Sequence, residues 1–413
     1  MNEKPIRILL VEDSPVAIII LKRILNSPPL LQVVGTARTG IEGLKLIPVV
    51  KPDVICSDLQ MPEMGGLEFI REVMATNPKP ILVISASVQA EDTENVFELL
   101  AAGAVDIFPK PRKSVMDNYE EIKQELITKV RILAGVSVFT LRRNRLTHPV
   151  IPRLPGDLGR SPSSLESILA KSDRLEAKKQ IAKKQLVEKP VRKVGSRPRI
   201  SQLQLAPLKK TAEIQEINLQ KRLPFRVVAI GASTGGPQAL QGILSALPSN
   251  FPVPVICVQH ISEGFLQGLV DWLGSECRLL AKIASAGEYP EPGKIYFPPE
   301  GKHLELDTRG RFLYSSAPPL SGHRPSVTAT FDAVARYYGS RAVAILLTGM
   351  GRDGADGMLS IAQAGGLTIA QDEASCVVFG MPKEAIALGA AGHILPIADI
   401  APMLLQSIQE LLA

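Results

Sequence analysis

Cysteine is scarce and scattered. Cys56, Cys257, Cys277 and Cys376 are the only four in 413 residues, and no two form a C-x-x-C pair. That spacing argues against a zinc or disulfide framework, and buried free thiols in a reducing compartment are the expectation. Long apolar runs are also missing. None approaches the ~18–20 residues that a membrane span needs, and the first apolar stretch, Ile6–Val11, follows acidic Glu3. Met1–Pro5 lacks a basic segment leading into a long apolar one, so no signal peptide is expected and the cytoplasm is the expected location. There is no helix-turn-helix with a basic recognition helix, which counts against a DNA-binding regulator. The glycine-rich turn at Gly231–Gly236 lacks the Walker lysine and the G-x-G-x-x-G spacing, which counts against a nucleotide-binding domain.

What is present is enough for two or three domains with proper cores, at 45% hydrophobic residues and a mean hydropathy of +0.13. The net charge of +6 is uneven: residues 1–140 carry −3, 141–222 carry +13 and 223–413 carry −4. Two mildly acidic blocks therefore flank a basic connector. The basic character belongs to the connector, and no nucleic-acid partner is expected for the folded parts.

The first block, 1–140, alternates strands and helices. Strands are expected at 6–11, 33–37, 53–58, 81–85 and 104–111, and Ser14-Pro15 starts a helix with Ser as N-cap and Pro at the first helical position. Such alternation predicts a doubly wound, mainly parallel sheet with its site at the carboxyl ends of the strands. Glu12, Asp13, Asp58, Ser85 and Lys110 all lie at such ends. Three gathered carboxylates want a hard divalent cation, Mg²⁺ by preference. A lysine and a hydroxyl beside them suit an incoming phosphoryl group.

On Val11-Glu-Asp13-Ser, Asp58-Leu-Gln-Met-Pro62 with Gly65-Gly-Leu-Glu68, Ile84-Ser85-Ala86 and Lys110-Pro111, residues 4–125 resemble a response-regulator receiver domain. The resemblance implies that Asp58 accepts a phosphoryl group from a histidine kinase. It implies further that Glu12, Asp13 and Asp58 hold Mg²⁺ and that Ser85 and Lys110 read the phosphorylated state. Many receivers have an aromatic switch residue where this chain has Ile107, beside Phe108.

The connector, 141–222, mixes Arg/Lys runs with Pro and Ser and has too little apolar surface to fold alone, so a disordered linker is expected, with a marginal helix at 164–187 as the alternative. A basic segment of this kind can also lie on acidic lipid or nucleic acid.

The second block, 223–413, opens on Arg226-Val-Val-Ala-Ile-Gly-Ala-Ser-Thr-Gly-Gly-Pro237, a buried strand handing over to a helix through a small-residue turn. Further strands are expected at 253–258, 295–297, 342–347 and 367–370, the last of these as the final parallel strand. A hairpin is expected at 303–307 and 311–314, with helices at 328–338 and 401–412. Ser233, His260 and Asp353 follow three of the strands, and in a parallel sheet such ends can share one edge. A seryl hydroxyl needs a histidine to take its proton, and the histidine needs a carboxylate to fix its tautomer. The turns after Ser233 and at Gly349–Gly351 offer backbone N–H groups for an oxyanion, with Thr234 and Met350 as the candidates. The order Ser…His…Asp differs from that of α/β-hydrolases. Among the other histidines, His303 and His393, the latter in a late Gly/Ala-rich turn, read as surface or structural, and His148 lies in the connector. His323 sits in a loop able to touch substrate. Asp356 competes with Asp353 but reads as the cap of a helix starting near Gly357.

Gly231-Ala-Ser-Thr-Gly-Gly-Pro237, Gln259-His260, His323-Arg-Pro-Ser326, Thr348-Gly-Met-Gly-x-Asp353-Gly-Ala and Gln371 to Pro382 make this block similar to the methylesterase domain of the CheB family. With a receiver in front, the resemblance extends to the architecture, although the connector is far longer than is usual. It implies hydrolysis of glutamyl methyl esters on chemoreceptors (methyl-accepting chemotaxis proteins), often with deamidation of receptor glutamines, and no cofactor for the ester chemistry. Ser233 is then the nucleophile, His260 the base and then acid, and Asp353 its orienter, with the unphosphorylated receiver blocking the site.

Overall fold

The computed structural model of the chain describes residues 4–85, 97–111, 119–136, 138 and 225–409. The connector, with its possible helix at 164–187 and His148, lies outside them, as does the end of the last expected helix beyond residue 409. The described residues of both folded blocks belong to one compact unit.

In the first block β1 (Ile6–Val11), β2 (Leu31–Ala37), β3 (Val54–Ser57), β4 (Ile81–Ser85) and β5 (Asp106–Pro109) form a parallel sheet in the order β2-β1-β3-β4-β5. Helices α1 (Pro15–Leu25), α2 (Gly40–Val50), α3 (Gly66–Thr76) and α4 (Tyr119–Leu133) pack with it. The helix starts follow the capping chemistry: Ser14 accepts from Ala17 N and Thr39 from Glu42 N. Strand β1 is buried on both faces, Leu9 and Val11 in one cluster and Ile8 and Leu10 in another. That explains its continuous apolar run.

The second block is built on seven parallel strands in the order β14-β13-β12-β6-β7-β9-β8. They are β6 (Val227–Ala232), β7 (Val255–Gln259), β8 (Leu280–Ile283), β9 (Lys294–Phe297), β12 (Ala342–Leu346), β13 (Leu367–Gln371) and β14 (His393–Leu395). The expected hairpin, β10 (His303–Leu306) with β11 (Phe312–Ser315), makes a separate antiparallel pair. Helices α5 (Gly236–Leu244), α6 (Leu266–Glu276), α7 (Val327–Tyr338), α8 (Ala355–Gln363), α9 (Met381–Ala387) and α10 (Ile397–Gln409) complete it. Two strands escape the sequence reading. β8 and β14 are the sheet's edges, short and partly exposed, so neither has the apolar signature of the centre. His393 therefore opens a strand and does not lie in a turn, and Leu367–Gln371 is not the last strand.

The register sets the site. Ala232 pairs with Gln259 across β6 and β7, so Ser233 and His260 are the next residues on adjacent strands. On the other side Ser233 N donates to Thr348 O at 3.0 Å. A further correction concerns Asp356. Helix α8 begins at Ala355 with Gly354 as its cap, so Asp356 lies inside the first turn, where Arg352 holds it at 2.7 Å.

Gly354 is held at φ +90°, and a Cβ there would lie 2.5 Å from Leu346 Cδ1 and 2.7 Å from Val327 Cγ1. Left-handed backbone and overpacking add, so Gly354→Ala is expected to destabilise the second block by about 2–4 kcal/mol. Urea unfolding followed by fluorescence of Trp272, the only tryptophan, measures this, and an unchanged midpoint would contradict it.

Candidate active site

Asp353 is the most buried charged group at this edge, at 1% exposure. Its carboxylate accepts four hydrogen bonds: His260 Nε2 at 2.8 Å and Val327 N at 2.7 Å to Oδ2, and Ser326 Oγ at 2.7 Å and Thr328 N at 3.0 Å to Oδ1. Two are backbone donors at the start of α7, where the helix presents free N–H groups. Burial alone would raise the carboxyl; the bonds from His260, Ser326 and Thr328 and the neighbouring imidazole reverse this and hold it well below the usual carboxylate range. Ser326 is wholly buried and also caps α7, and His303 Nδ1 accepts its N–H at 3.2 Å. His303 is thus structural, as expected, but buried.

His260 donates through Nε2, which leaves Nδ1 as the basic nitrogen. Nδ1 is buried and has no hydrogen-bond partner, so the Ser233 hydroxyl does not bond to it in this state. Such bonds commonly tighten only when substrate is bound. Gln259 braces the pair: its Nε2 donates to Ser233 O at 2.7 Å and to His260 O at 2.8 Å. Ser233, Thr234, His260, His323 and Met350 line one cavity of about 450 Å³. Of the two turns expected to bind an oxyanion, the N–H groups of Ser233 and Gly349 are already used, on Thr348 O and Val378 O. Thr234 is buried, while Met350 is 43% exposed at the cavity rim.

The opposite wall of the cavity comes from the first block: Gln124, Glu125, Thr128, Lys129 and Ile132 of α4. Thr234 Oγ1 donates to Asp106 Oδ2 at 3.0 Å, and Lys129 Nζ bonds the same oxygen at 2.6 Å. Gln238 Nε2 donates to Ala104 O at 2.7 Å, and Phe97 stacks on Trp272 with centroids 5.7 Å apart. The Thr234–Asp106, Gln238–Ala104 and Phe97–Trp272 contacts carry no sequence signal, because each joins residues more than 100 positions apart in the two blocks.

At the edge of the first sheet, ligand oxygens of Glu12, Asp13 and Asp58 lie within 4.8 Å of one another. Lys110 Nζ sits 2.6 Å from Asp58 Oδ2 and 2.8 Å from Glu12 Oε1. Burial raises both Glu12 and Asp58, and Glu12 Oε2 is buried without a partner. An orphaned carboxylate oxygen among three acids fits a hard divalent cation. Burial works against the Lys110 ammonium, but its bonds to Asp58 and Glu12 outweigh this and raise it. Ser85 is buried at the end of the neighbouring strand β4. Ile107 is buried, and so is Phe108 beside it.

Residues 228–404 match the family described as CheB methylesterase, and residues 8–118 match the response regulator receiver domain. The chain is 36% identical over 405 residues to the protein-glutamate methylesterase/protein-glutamine glutaminase of Nitrosospira multiformis, with 98% of each chain covered. It is 35% identical over 408 residues to that of Symbiobacterium thermophilum, covering 99% of this chain and 98% of the other. The crystal structure of the Thermotoga maritima CheB methylesterase catalytic domain is 40% identical, covers 44% of this chain and 98% of its own, and superposes with a TM-score of 0.43.

Two displaced groups give the fold an acid sensitivity. His323 is pushed down from 6.5 to about 4, first by burial and then by neighbouring His260. Between those values an unfolded chain binds a proton that the folded chain refuses. This contribution to stability is therefore complete above about pH 6.5 and lost as the pH falls toward 4. The contribution of Asp353 is complete above about pH 4 and lost below it. The urea midpoint is expected to decline in both windows, and His323→Phe should shrink the first decline alone. A variant that declines like the parent between pH 6.5 and 4.5 would refute the assignment.

Proposed function

The chain belongs to the CheB methylesterases that carry a receiver domain, and from that footing we propose that it is a protein-glutamate methylesterase and protein-glutamine glutaminase working through Ser233. The observation that carries the reading is the His260 imidazole. It is tied through Nε2 to a buried, charged Asp353 and keeps a bare Nδ1 beside the cavity that Ser233 lines.

Nδ1 of His260 takes the seryl proton as Ser233 Oγ attacks the side-chain carbonyl of a glutamyl methyl ester. Backbone donors at Thr234 and Met350 take the oxyanion. The C–O bond to methanol breaks as His260 returns the proton to the leaving oxygen, which leaves a glutamyl ester on Ser233. Water, deprotonated by the same nitrogen, then releases the glutamate and restores the serine. A glutamine side chain follows the same path with ammonia leaving. Asp353 stays ionised throughout and stabilises the imidazolium.

The substrates are methylated chemoreceptors, the phosphodonor is a histidine kinase, and the cytoplasm is the place of both reactions. Asp58 takes the phosphoryl group, and Ser85 and Lys110 read it. Glu12, Asp13 and Asp58 would hold Mg²⁺, which when bound neutralises charge on the transferred group. The domains run 1–140 for the receiver, 141–222 for a basic linker and 223–413 for the esterase. Supporting a gate is the shared cavity, whose one wall is receiver helix α4, together with the Thr234–Asp106 bond beside the nucleophile.

Ser233→Ala is expected to cut methanol release from methylated receptor membranes by about 10³-fold or more; a rate near the parent's refutes the triad. Asp58→Asn is expected to lose stimulation by a small phosphodonor such as phosphoramidate, and undiminished stimulation refutes the phosphorylation site. Gln238→Ala removes a bond across the gate worth about 0.5–1.5 kcal/mol. Basal release should therefore rise about 2–10-fold while the phosphorylated rate stays put. An unchanged basal rate takes this contact out of the gate.

A further inference from the structure

His323 lies face to face with His260, with ring centroids 3.7 Å apart and planes 10° apart. Its loop is closed by a reciprocal pair of backbone bonds, Leu320 N to His323 O at 3.1 Å and His323 N to Leu320 O at 3.0 Å. Three residues on, the same loop supplies Ser326, whose Oγ donates to Asp353. One segment thus presents a ring to the face of the base and a hydroxyl to the carboxylate that holds its edge.

We propose that His323 is a positioning residue for the esterase reaction, a neutral ring that fixes the plane of His260 and supports the positive charge His260 gains on taking the seryl proton. The proposal rests on the reading of Ser233 and His260 given above. The hydrogen bond at Nε2 selects which nitrogen faces Asp353 but leaves the ring free to tilt about that bond. A second ring stacked in parallel removes the tilt, so bond and stack together define the direction of Nδ1. A cation over a neutral aromatic face is attracted to it, whereas two stacked imidazolium rings repel.

The surroundings keep the second ring neutral. His260 itself and Lys129 of α4 oppose a charge on His323, and Asp353 favours one. Glu125 of α4 and Arg324 of the same loop also line the cavity. Burial first, and then this balance, hold the ring at about 4, so it is neutral near pH 7.

The test uses the full chain activated with phosphoramidate, acting on chemoreceptor membranes carrying labelled methyl groups, with Ser233→Ala, His323→Leu and His323→Phe beside the parent. His323→Leu removes the aromatic face and is expected to lower kcat about tenfold or more with little change in KM, since part of the general-base contribution is lost. It should also move the acid limb of the kcat/KM profile to lower pH, because the imidazolium loses a partner. His323→Phe keeps the face and should stay within about threefold of the parent, which also controls for folding. Ser233→Ala inactive with His323→Leu at the parent's kcat and acid limb overturns this proposal alone. A change confined to KM overturns it in favour of a substrate contact. His323→Phe as slow as His323→Leu overturns the role of the face. Ser233→Ala at the parent's rate overturns the underlying reading, and the proposal falls with it.

Discussion

A carboxylate taken out of water must be met by donors on every side, and Asp353 shows what meeting that demand does to the surrounding chain. Its four hydrogen bonds come from β7's end, from the N-cap of α7 and from the first turn of that helix. Losing any one leaves a buried charge short of compensation, which is expensive in a site of low dielectric. Satisfying the carboxylate therefore fixes His260, places α7 and anchors the loop that carries His323. The same arrangement keeps the acid ionised, as it must be to stabilise an imidazolium.

A second constraint is the parallel sheet. In both blocks the chemistry gathers where parallel strands end, because loops leave there and helix N-termini point back. Strand β5 connects the two sites. Lys110, just past its end, is paired with Asp58, while Asp106 at its start accepts from Thr234 beside Ser233. Lys110, the partner of Asp58, thus lies four residues along one short strand from a group that touches the turn carrying Ser233.

Much of this was legible in residue order. The central strands are buried on both faces, so they read as uninterrupted apolar runs, and Ser14 marks a helix start by its own hydrogen-bonding chemistry. Edge strands β8 and β14 were not legible, being short and partly solvated. Asp356 carries the chemistry of a cap without being one, because a glycine one residue ahead of the helix, in a left-handed conformation, terminates the turn without a side chain.

Sequence alone determined the residue types and their places at strand ends or in the loops that follow them: Ser233, His260 and Asp353 in one block, and Glu12, Asp13, Asp58, Ser85 and Lys110 in the other. Local rules suffice for that, since strand ends, caps and turns are decided by neighbours along the chain. Tertiary structure alone decided what those residues touch. It chose Nε2 of His260 for Asp353 and so left Nδ1 without a partner, stacked His323 on that ring, and brought α4 of the receiver to the wall of the cavity that Ser233 lines. Each of these joins residues dozens to more than a hundred positions apart. Their meeting depends on register and packing, which no local pattern encodes.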